Sequence, residues 1–151
     1  MPPIELPVPR PGELWTVGAV ILNPAGQAFA QLRSPDRRLF PSCWDIVGGH
    51  VEPGESLLAA LAREIAEETG WRLHRVLRLL AVHSWTGDDD LGRRHEADFL
   101  VDVHGDLATP ALEWSKHTEF AWFGPADLPR LKENRRPGEY QVHDLIAGAL
   151  P

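Results

Sequence analysis

The chain has 151 residues, of which 43% are hydrophobic and 25% are charged, and its formal net charge is −7. This composition is typical of one soluble globular domain, and the negative charge argues against a protein that binds long nucleic acids through their phosphates. The single cysteine, Cys43, excludes an internal disulfide and fits a reducing compartment. Because neither a secretory signal nor an apolar run of ~20 residues is visible, we expect a cytoplasmic protein with no membrane partner.

The predicted elements begin after a proline-rich arm. Five prolines in the first eleven residues predict an extended arm over 1–12, and we expect one domain over 13–151. The segment 13–23 is rich in β-branched and apolar residues, which predicts a buried strand. It ends in the turn signal NPAGQ, so 28–33 is predicted as its hairpin partner.

The rest of the chain alternates between apolar strand patterns and amphipathic helix patterns. Strands that precede and follow helices predict one α/β or α+β domain with helices on a mixed sheet. The predicted elements are a strand at 44–49, a helix at 56–69 ended by Gly70, one or two strands within 73–87, a strand at 95–105, a strand and a short helix from Pro125 within 119–132, and a helix at 140–150.

The predicted helix at 56–69 carries three acidic side chains on one side. At 100° per residue, Glu64, Glu67 and Glu68 fall within an arc of about 100°, beside an apolar arc that contains Leu58 and Ile65. Like charges one turn apart repel by a few tenths of a kcal/mol per pair, so a positive partner is expected. Two interpretations remain open: a solvated acidic face with an Arg63–Glu67 pair, or a cation site.

The segment GGHVEPGE before this helix favours the cation site. Three glycines and a proline within eight residues predict a fixed turn whose backbone closely approaches a ligand. Carboxylates at positions i, i+3 and i+4, together with a backbone carbonyl, are the oxygen ligands that suit Mg²⁺ or Mn²⁺.

The stretch from Gly49 to Trp71 resembles the Nudix box, the signature of the Nudix (MutT-like) hydrolases. Two positions depart from the pattern: Trp71 stands where Ile, Leu or Val is usual, and Val47 stands where many members have proline. The resemblance implies a Nudix-type α/β/α sandwich with a mixed sheet flanked by helices. The positions that match are Gly49, Glu55, Arg63, Glu64, Ile65, Glu67, Glu68, Gly70 and Trp71.

The family resemblance also implies an activity. Nudix hydrolases cleave the diphosphate linkage of a nucleoside diphosphate joined to another moiety, such as a normal or oxidised nucleoside triphosphate or an ADP-ribose-like compound. By resemblance, Mg²⁺ or its substitute Mn²⁺ would be the cofactor, and Glu55 and Arg63 would form an orienting ion pair. A small nucleotide is therefore the expected partner, and a homodimer stays open. The implied metal ligands are Gly49, Glu64, Glu67 and Glu68.

Further site candidates lie outside the box. Many family members add a late carboxylate as ligand or base; Glu113 is best placed, with Glu96 and Glu119 as rivals. A basic loop could contact substrate phosphates, with a solvated turn as the alternative, and His50 could hydrogen-bond a phosphate. Tryptophans could stack on a base, with packing in the core as the alternative. The substrate candidates are Arg33, Arg37 and Arg38 in the loop, His50, and Trp44, Trp85 or Trp114.

Two other functions use the same fold. A catalytically inactive Nudix-fold module would bind nucleotides or regulate, but such modules usually have a broken box. An isomerase of the isopentenyl-diphosphate type is similar around FPSCWD, yet it needs a reactive cysteine near Val47 and Gly48, and Cys43 lies too early. The hydrolase is therefore the leading prediction.

Overall fold

The structure is a computed structural model that describes residues 4–151. Residues 4–12 contain no helix or strand, and residues 1–3 of the predicted arm lie outside the described residues. The boundary at residue 13 stays a prediction. The elements are β1 (Trp15–Ile21), β2 (Ala28–Arg33), β3 (Trp44–Asp45), β4 (Val47–His50), α1 (Leu57–Thr69), β5 (Arg72–Thr86), β6 (Arg93–His104), β7 (His117–Phe123), a 3₁₀ helix (Pro125–Lys132) and α2 (Gln141–Ala149).

The strands form two sheets. The four-stranded sheet has the order β4-β1-β6-β5; β1 and β6 run parallel, and the other neighbours are antiparallel. The second sheet, with the order β3-β2-β7, is antiparallel. The predicted mixed sheet flanked by helices is thus confirmed, and the second sheet is an addition that the sequence patterns did not predict.

The predicted hairpin of β1 and β2 is wrong. The two strands enter different sheets and meet only at the antiparallel bridge between Leu22 and Ala28. Every residue of β1 is buried, and its two edges are occupied by β4 and β6. The predicted strand region 73–87 is one 15-residue strand, β5, whose pairing with β6 contains three register shifts.

Alternation along β1 places the four-stranded sheet between two helices. Val17 and Ala19 belong to a core cluster with α1, whereas Val20 belongs to a second cluster with α2. In α1, Leu61 and Ile65 are fully buried, but Leu58 is 38% exposed and Leu57 is buried instead. The inward face of α1 is therefore rotated from the prediction, and this rotation also turns acidic side chains inward.

The ends of α1 follow from local chemistry. The Ser56 hydroxyl accepts a hydrogen bond from the Ala59 N–H at 3.1 Å, and Gly70 ends the helix with a φ of 75°. The Ser56 cap marks where the loop from β4 enters the helix, and Gly70 leads from the helix into β5. Among the residues described, no helix is both long and apolar enough to cross a membrane.

Candidate active site

The packing of α1 against β4 buries Glu68 beside the glycines. Glu68 is 4% exposed, and its carboxylate accepts a hydrogen bond from the Gly48 N–H at 2.8 Å. Burial raises the pKa of Glu68 well above its usual range, and the nearby charge of Glu64 adds to this increase. A buried carboxylate of this kind gains stability from any cation that reaches it.

Glu64 lies directly against the backbone of Gly49. A Cβ atom at position 49 would stand 2.5 Å from the Glu64 carboxylate, so only glycine permits this close approach. Glu64 is itself buried, and burial raises its pKa although Arg63 opposes the shift. The structure thus brings together the predicted carbonyl ligand and one predicted carboxylate ligand.

Arg63 is the centre of the box loop. Its Nε and Nη2 donate to the two carboxylate oxygens of Glu55 at 2.8 and 2.9 Å, and Nη2 also donates to the His50 carbonyl at 2.9 Å. Its Nη1 donates to Glu64 at 2.8 Å and to Glu67 at 3.2 Å. The expected Glu55–Arg63 pair is present, and so is the Arg63–Glu67 pair of the alternative interpretation.

The α1 carboxylates fit a hard divalent cation by their chemistry. They offer only oxygen atoms, which Mg²⁺ prefers. Arg63 draws Glu64 and Glu67 to one side, and the Gly48 N–H holds Glu68 on the other, so the three carboxylates are spread across the helix face. Their roles as metal ligands stay predictions.

Glu68 opens on a cavity of about 360 Å³, which is within the size range of small-molecule sites. The lining comes from all seven strands, both α-helices, the loop at 34–43 and the segment at 135–139. Gly48 and Gly49 form part of the wall next to Glu68. The box therefore faces a space large enough for part of a nucleotide.

The basic loop contributes two of its three arginines to this cavity. Arg33 and Arg37 line it; Arg33 is held by Asp45 at 3.3 Å, whereas the buried Nη1 of Arg37 has no hydrogen-bond partner in residues 4–151. The structure does not bring Arg38 to the cavity. Its side chain is 62% exposed and is turned toward the carboxylate of Asp90, away from the cavity lining.

Of the predicted histidine and tryptophan contacts, some line the cavity and others do not. His50 lines the cavity, accepts a hydrogen bond from Arg94 at 3.3 Å, and has a pKa that burial lowers. Trp85 also lines the cavity. The prediction for Trp44 is wrong, because this side chain is 3% exposed and packs edge-on against Phe123 in the second core cluster. Trp114 is 67% exposed and lies outside the lining.

The late carboxylates occupy three different environments. Glu113 is half-buried, and Lys116 Nζ lies 3.5 Å from its Oε2. Its charge contributes to the raised pKa of Glu68, which places it near the box. Glu119 is exposed on β7, whereas Glu96 lines the cavity. The role of Glu113 stays a prediction.

Cys43 directly precedes β3 and does not line the cavity. It is 1% exposed, and its Sγ contacts the Pro41 carbonyl at 3.6 Å and the Asn134 carbonyl at 3.4 Å. Burial raises the pKa of the thiol. A buried, protonated thiol is a poor nucleophile, which agrees with the low rank of the isomerase alternative.

Sequence reasoning missed two cavity histidines. His83 Nε2 lies 2.8 Å from Asp98 and 3.3 Å from Glu96, and these carboxylates, Asp98 first, raise its pKa to about 10. His117 is buried, and burial, followed by the charges of nearby arginines, lowers its pKa to about 4. The alternation in HEADF does place Glu96 and Asp98 on one face of a strand, but nothing local marks either histidine.

Comparisons with known proteins agree with this geometry. The NUDIX domain family matches residues 13–145. Nucleoside triphosphatase NudI of Escherichia coli K12 is 37% identical over 102 residues, which cover 62% of this chain and 70% of that protein. The MutT protein of Methanosarcina mazei Go1 superposes with a TM-score of 0.67 at 25% identity, covering 91% of this chain and 92% of that one. A Nudix hydrolase of Nitrosomonas europaea has a TM-score of 0.70 at 24% identity, with 90% and 87% covered. The chain therefore belongs to the Nudix hydrolase family.

Proposed function

We propose that this protein is a divalent-metal-dependent pyrophosphohydrolase whose substrate is a nucleoside triphosphate. The observation that carries the proposal is the burial of Glu64 and Glu68 against Gly49 and Gly48, beside a cavity that is large enough for part of a nucleotide and is lined by Glu68. The substrate class is supported by the similarity to the nucleoside triphosphatase NudI.

We assign separate roles in metal binding and in positioning to residues of the Nudix box. Glu64, Glu67, Glu68 and the Gly49 carbonyl would hold Mg²⁺, for which Mn²⁺ can substitute. The bound cation supplies Lewis acidity and neutralises charge that develops on the transferred phosphoryl group. Arg63 fixes the relative positions of the box loop and helix through its contacts with Glu55, Glu64 and the His50 carbonyl.

The basic side of the cavity would receive the phosphates. Arg37 has a buried Nη1 that no other described residue satisfies, and a phosphate oxygen is a suitable acceptor for it. Arg33 lines the same cavity but is already paired with Asp45, so we assign it the weaker contact. Trp85 would contact the base or sugar from the β5 wall.

The test is a screen of nucleoside and deoxynucleoside triphosphates, oxidised triphosphates, ADP-ribose and isopentenyl diphosphate with Mg²⁺ or Mn²⁺. We expect nucleoside monophosphate and pyrophosphate from a triphosphate, loss of turnover in EDTA, and recovery in excess Mg²⁺. Undiminished turnover in EDTA would refute metal dependence. Turnover of ADP-ribose alone would refute the substrate class, and binding of every nucleotide without turnover would identify a binding module.

A further inference from the structure

A second group of ionisable side chains lies outside the Nudix box. In the pairing of β5 with β6, His83 stands directly opposite Glu96, and Asp98 follows on the same face of β6. The imidazole Nε2 of His83 lies 3.3 Å from Glu96 Oε2 and 2.8 Å from Asp98 Oδ2. We call these three residues the β5–β6 triad.

The β5–β6 triad has more acidic groups than basic ones. It contains two carboxylates and one imidazole, and Asp98 is fully buried. In addition, Asp98 Oδ1 is buried without a hydrogen-bond partner anywhere in residues 4–151. Most buried polar atoms in proteins are paired, so an orphaned carboxylate oxygen here points to a missing partner.

The geometry of the triad suits a metal ion. Its three ligand atoms lie within 4.8 Å of one another, and within the described chain it is the one group of three such residues with this property. Neighbouring ligands of a tetrahedral ion with bonds of about 2.0–2.2 Å stand roughly 3.3–3.6 Å apart. The distance from His83 to Glu96 is 3.3 Å, whereas the 2.8 Å hydrogen bond from His83 to Asp98 would have to widen to admit an ion.

The donor set selects the class of ion. One imidazole nitrogen and two carboxylate oxygens suit a borderline ion such as Zn²⁺, whereas Mg²⁺ prefers oxygen alone. Glu96 is held for such a role, because its Oε1 accepts from Thr16 at 2.7 Å and from Trp85 at 3.0 Å. Supporting hydrogen bonds of this kind orient the ligands of metal sites.

An ion can reach the triad through the cavity. His83 and Glu96 line it, and so does Gly18, which stands beside Asp98. We propose that His83, Glu96 and Asp98 form a second cation site, specific for Zn²⁺-class ions and independent of the α1 glutamates. Binding forms one metal–nitrogen and two metal–oxygen bonds, and protons held between the imidazole and the carboxylates leave to solvent. The resulting charge of the ion, two carboxylates and neutral imidazole is zero.

This proposal does not depend on the proposed function, so its test separates the two. The full chain would be titrated with Zn²⁺ by calorimetry in excess Mg²⁺, which prefers the all-oxygen site. We expect about one equivalent of Zn²⁺ to bind, and at least about a tenfold loss of affinity in His83→Gln. Co²⁺ in place of Zn²⁺ should give a ligand-field spectrum with a nitrogen ligand, which the α1 carboxylates cannot supply.

The chain offers a matched control and a second variant. His95 is the neighbour of Glu96 on β6, but its ring lies against Trp15, so His95→Gln should leave Zn²⁺ binding unchanged. If His83→Gln fails to fold, Asp98→Asn tests the same site with the shape preserved. The absence of Zn²⁺ binding to the wild-type chain in excess Mg²⁺ would overturn the proposal. Equal binding in the wild type and a folded triad variant would also overturn it, because the ion then lies elsewhere.

Discussion

The α1 glutamates and the β5–β6 triad are two acidic groups around one cavity, and they are built in opposite ways. Glu64, Glu67 and Glu68 come from a single helix, and the cationic partner of Glu64 and Glu67 is Arg63 of the same helix. His83 and Glu96 come from two strands, and the triad carries its cationic group within itself. The first arrangement leaves acidic oxygens for a hard cation, whereas the second offers a mixed donor set.

The comparison teaches that burial of a carboxylate has no fixed meaning by itself. Glu68 and Asp98 are both buried, and burial raises the pKa of both. Glu68 has one backbone N–H as a partner and borders the cavity, while Asp98 contacts an imidazole. The partner, not the burial, decides which chemistry each group can support.

The largest expected effect is a difference in kcat between variants of the α1 glutamates and variants of the β5–β6 triad. Glu68→Gln keeps the hydrogen bond from Gly48 but removes the charge, so kcat for a nucleoside triphosphate in Mg²⁺ should fall roughly 10²–10³-fold. Glu133→Gln is the matched control, since this exposed residue follows the 3₁₀ helix. Asp98→Asn should reduce kcat by much less than Glu68→Gln. A larger loss in Asp98→Asn would reverse our assignment of the catalytic cluster.

The second test removes the arginine that pairs with two of the α1 glutamates. Arg63→Ala leaves Glu55 and Glu64 without their shared partner, and kcat/KM should fall about 10–100-fold, as for groups that orient metal ligands. Circular dichroism should still show a folded domain. Glu52→Gln provides the control, because Glu52 is exposed and lies 3.9 Å from Arg63. Wild-type rate constants in Arg63→Ala would show that the network is surface charge alone.

A third test uses adjacent arginines to find which side of the cavity serves the α1 group. Arg37→Ala should raise KM about tenfold with a smaller change in kcat, because a charged hydrogen bond to phosphate is lost. Arg38→Ala should leave both constants unchanged, since its partners are Asp90 and the Asp88 carbonyl at the surface. Equal KM values for the two variants would contradict the phosphate contact.

The smallest expected effect is on the pH dependence of stability without metal. The pKa of His83 is raised from 6.5 to about 10, so its stabilisation is complete below about pH 6.5 and is lost as the pH rises to about 10. The raised pKa of Glu68 acts in the same direction, and its loss begins above the unfolded value of about 4.3. The lowered pKa values of Glu96 and His117 act in the opposite direction, but only below about pH 6.5. Thermal melts in EDTA should therefore show stability falling with rising pH above about 6.5.

Variants show how much of the pH dependence of stability comes from Glu68 and how much from His83. Glu68→Gln should flatten the part that begins in acid, and His83→Gln should flatten the part above about pH 6.5. Glu133→Gln should keep the wild-type slope. If both glutamine variants kept it as well, neither group would have a shifted pKa in the folded protein.

The same contrast explains what could be predicted from the sequence. The α1 group was predictable because its geometry is local: the helix period sets the positions of Glu64, Glu67 and Glu68, and the glycines before the helix mark the turn. The strands and helices were likewise found from their patterns. The Glu55–Arg63 pair was implied by the resemblance to the Nudix box.

The triad was not predictable because it depends on register. The register is set by the loop between Thr86 and Arg93, whose ends the sequence pattern does not mark; from that pair the strands run without a shift to His83 opposite Glu96. The wrong predictions have a similar origin. The pairing of β3 with β2 takes Trp44 into the core, and the assignment of β1 and β2 to separate sheets depends on long-range partners.

The buried thiol of Cys43 can serve as a natural probe of conformational opening near the cavity. Its thiol is held between Pro41 and Asn134, in the same loop as the cavity-lining residues Leu39 and Phe40. An alkylating reagent can react only when this segment opens, so the labelling rate of the single thiol measures opening at the cavity without any engineered probe. A nucleotide that closes the cavity would slow this labelling, which gives a binding assay even for substrates that are never turned over.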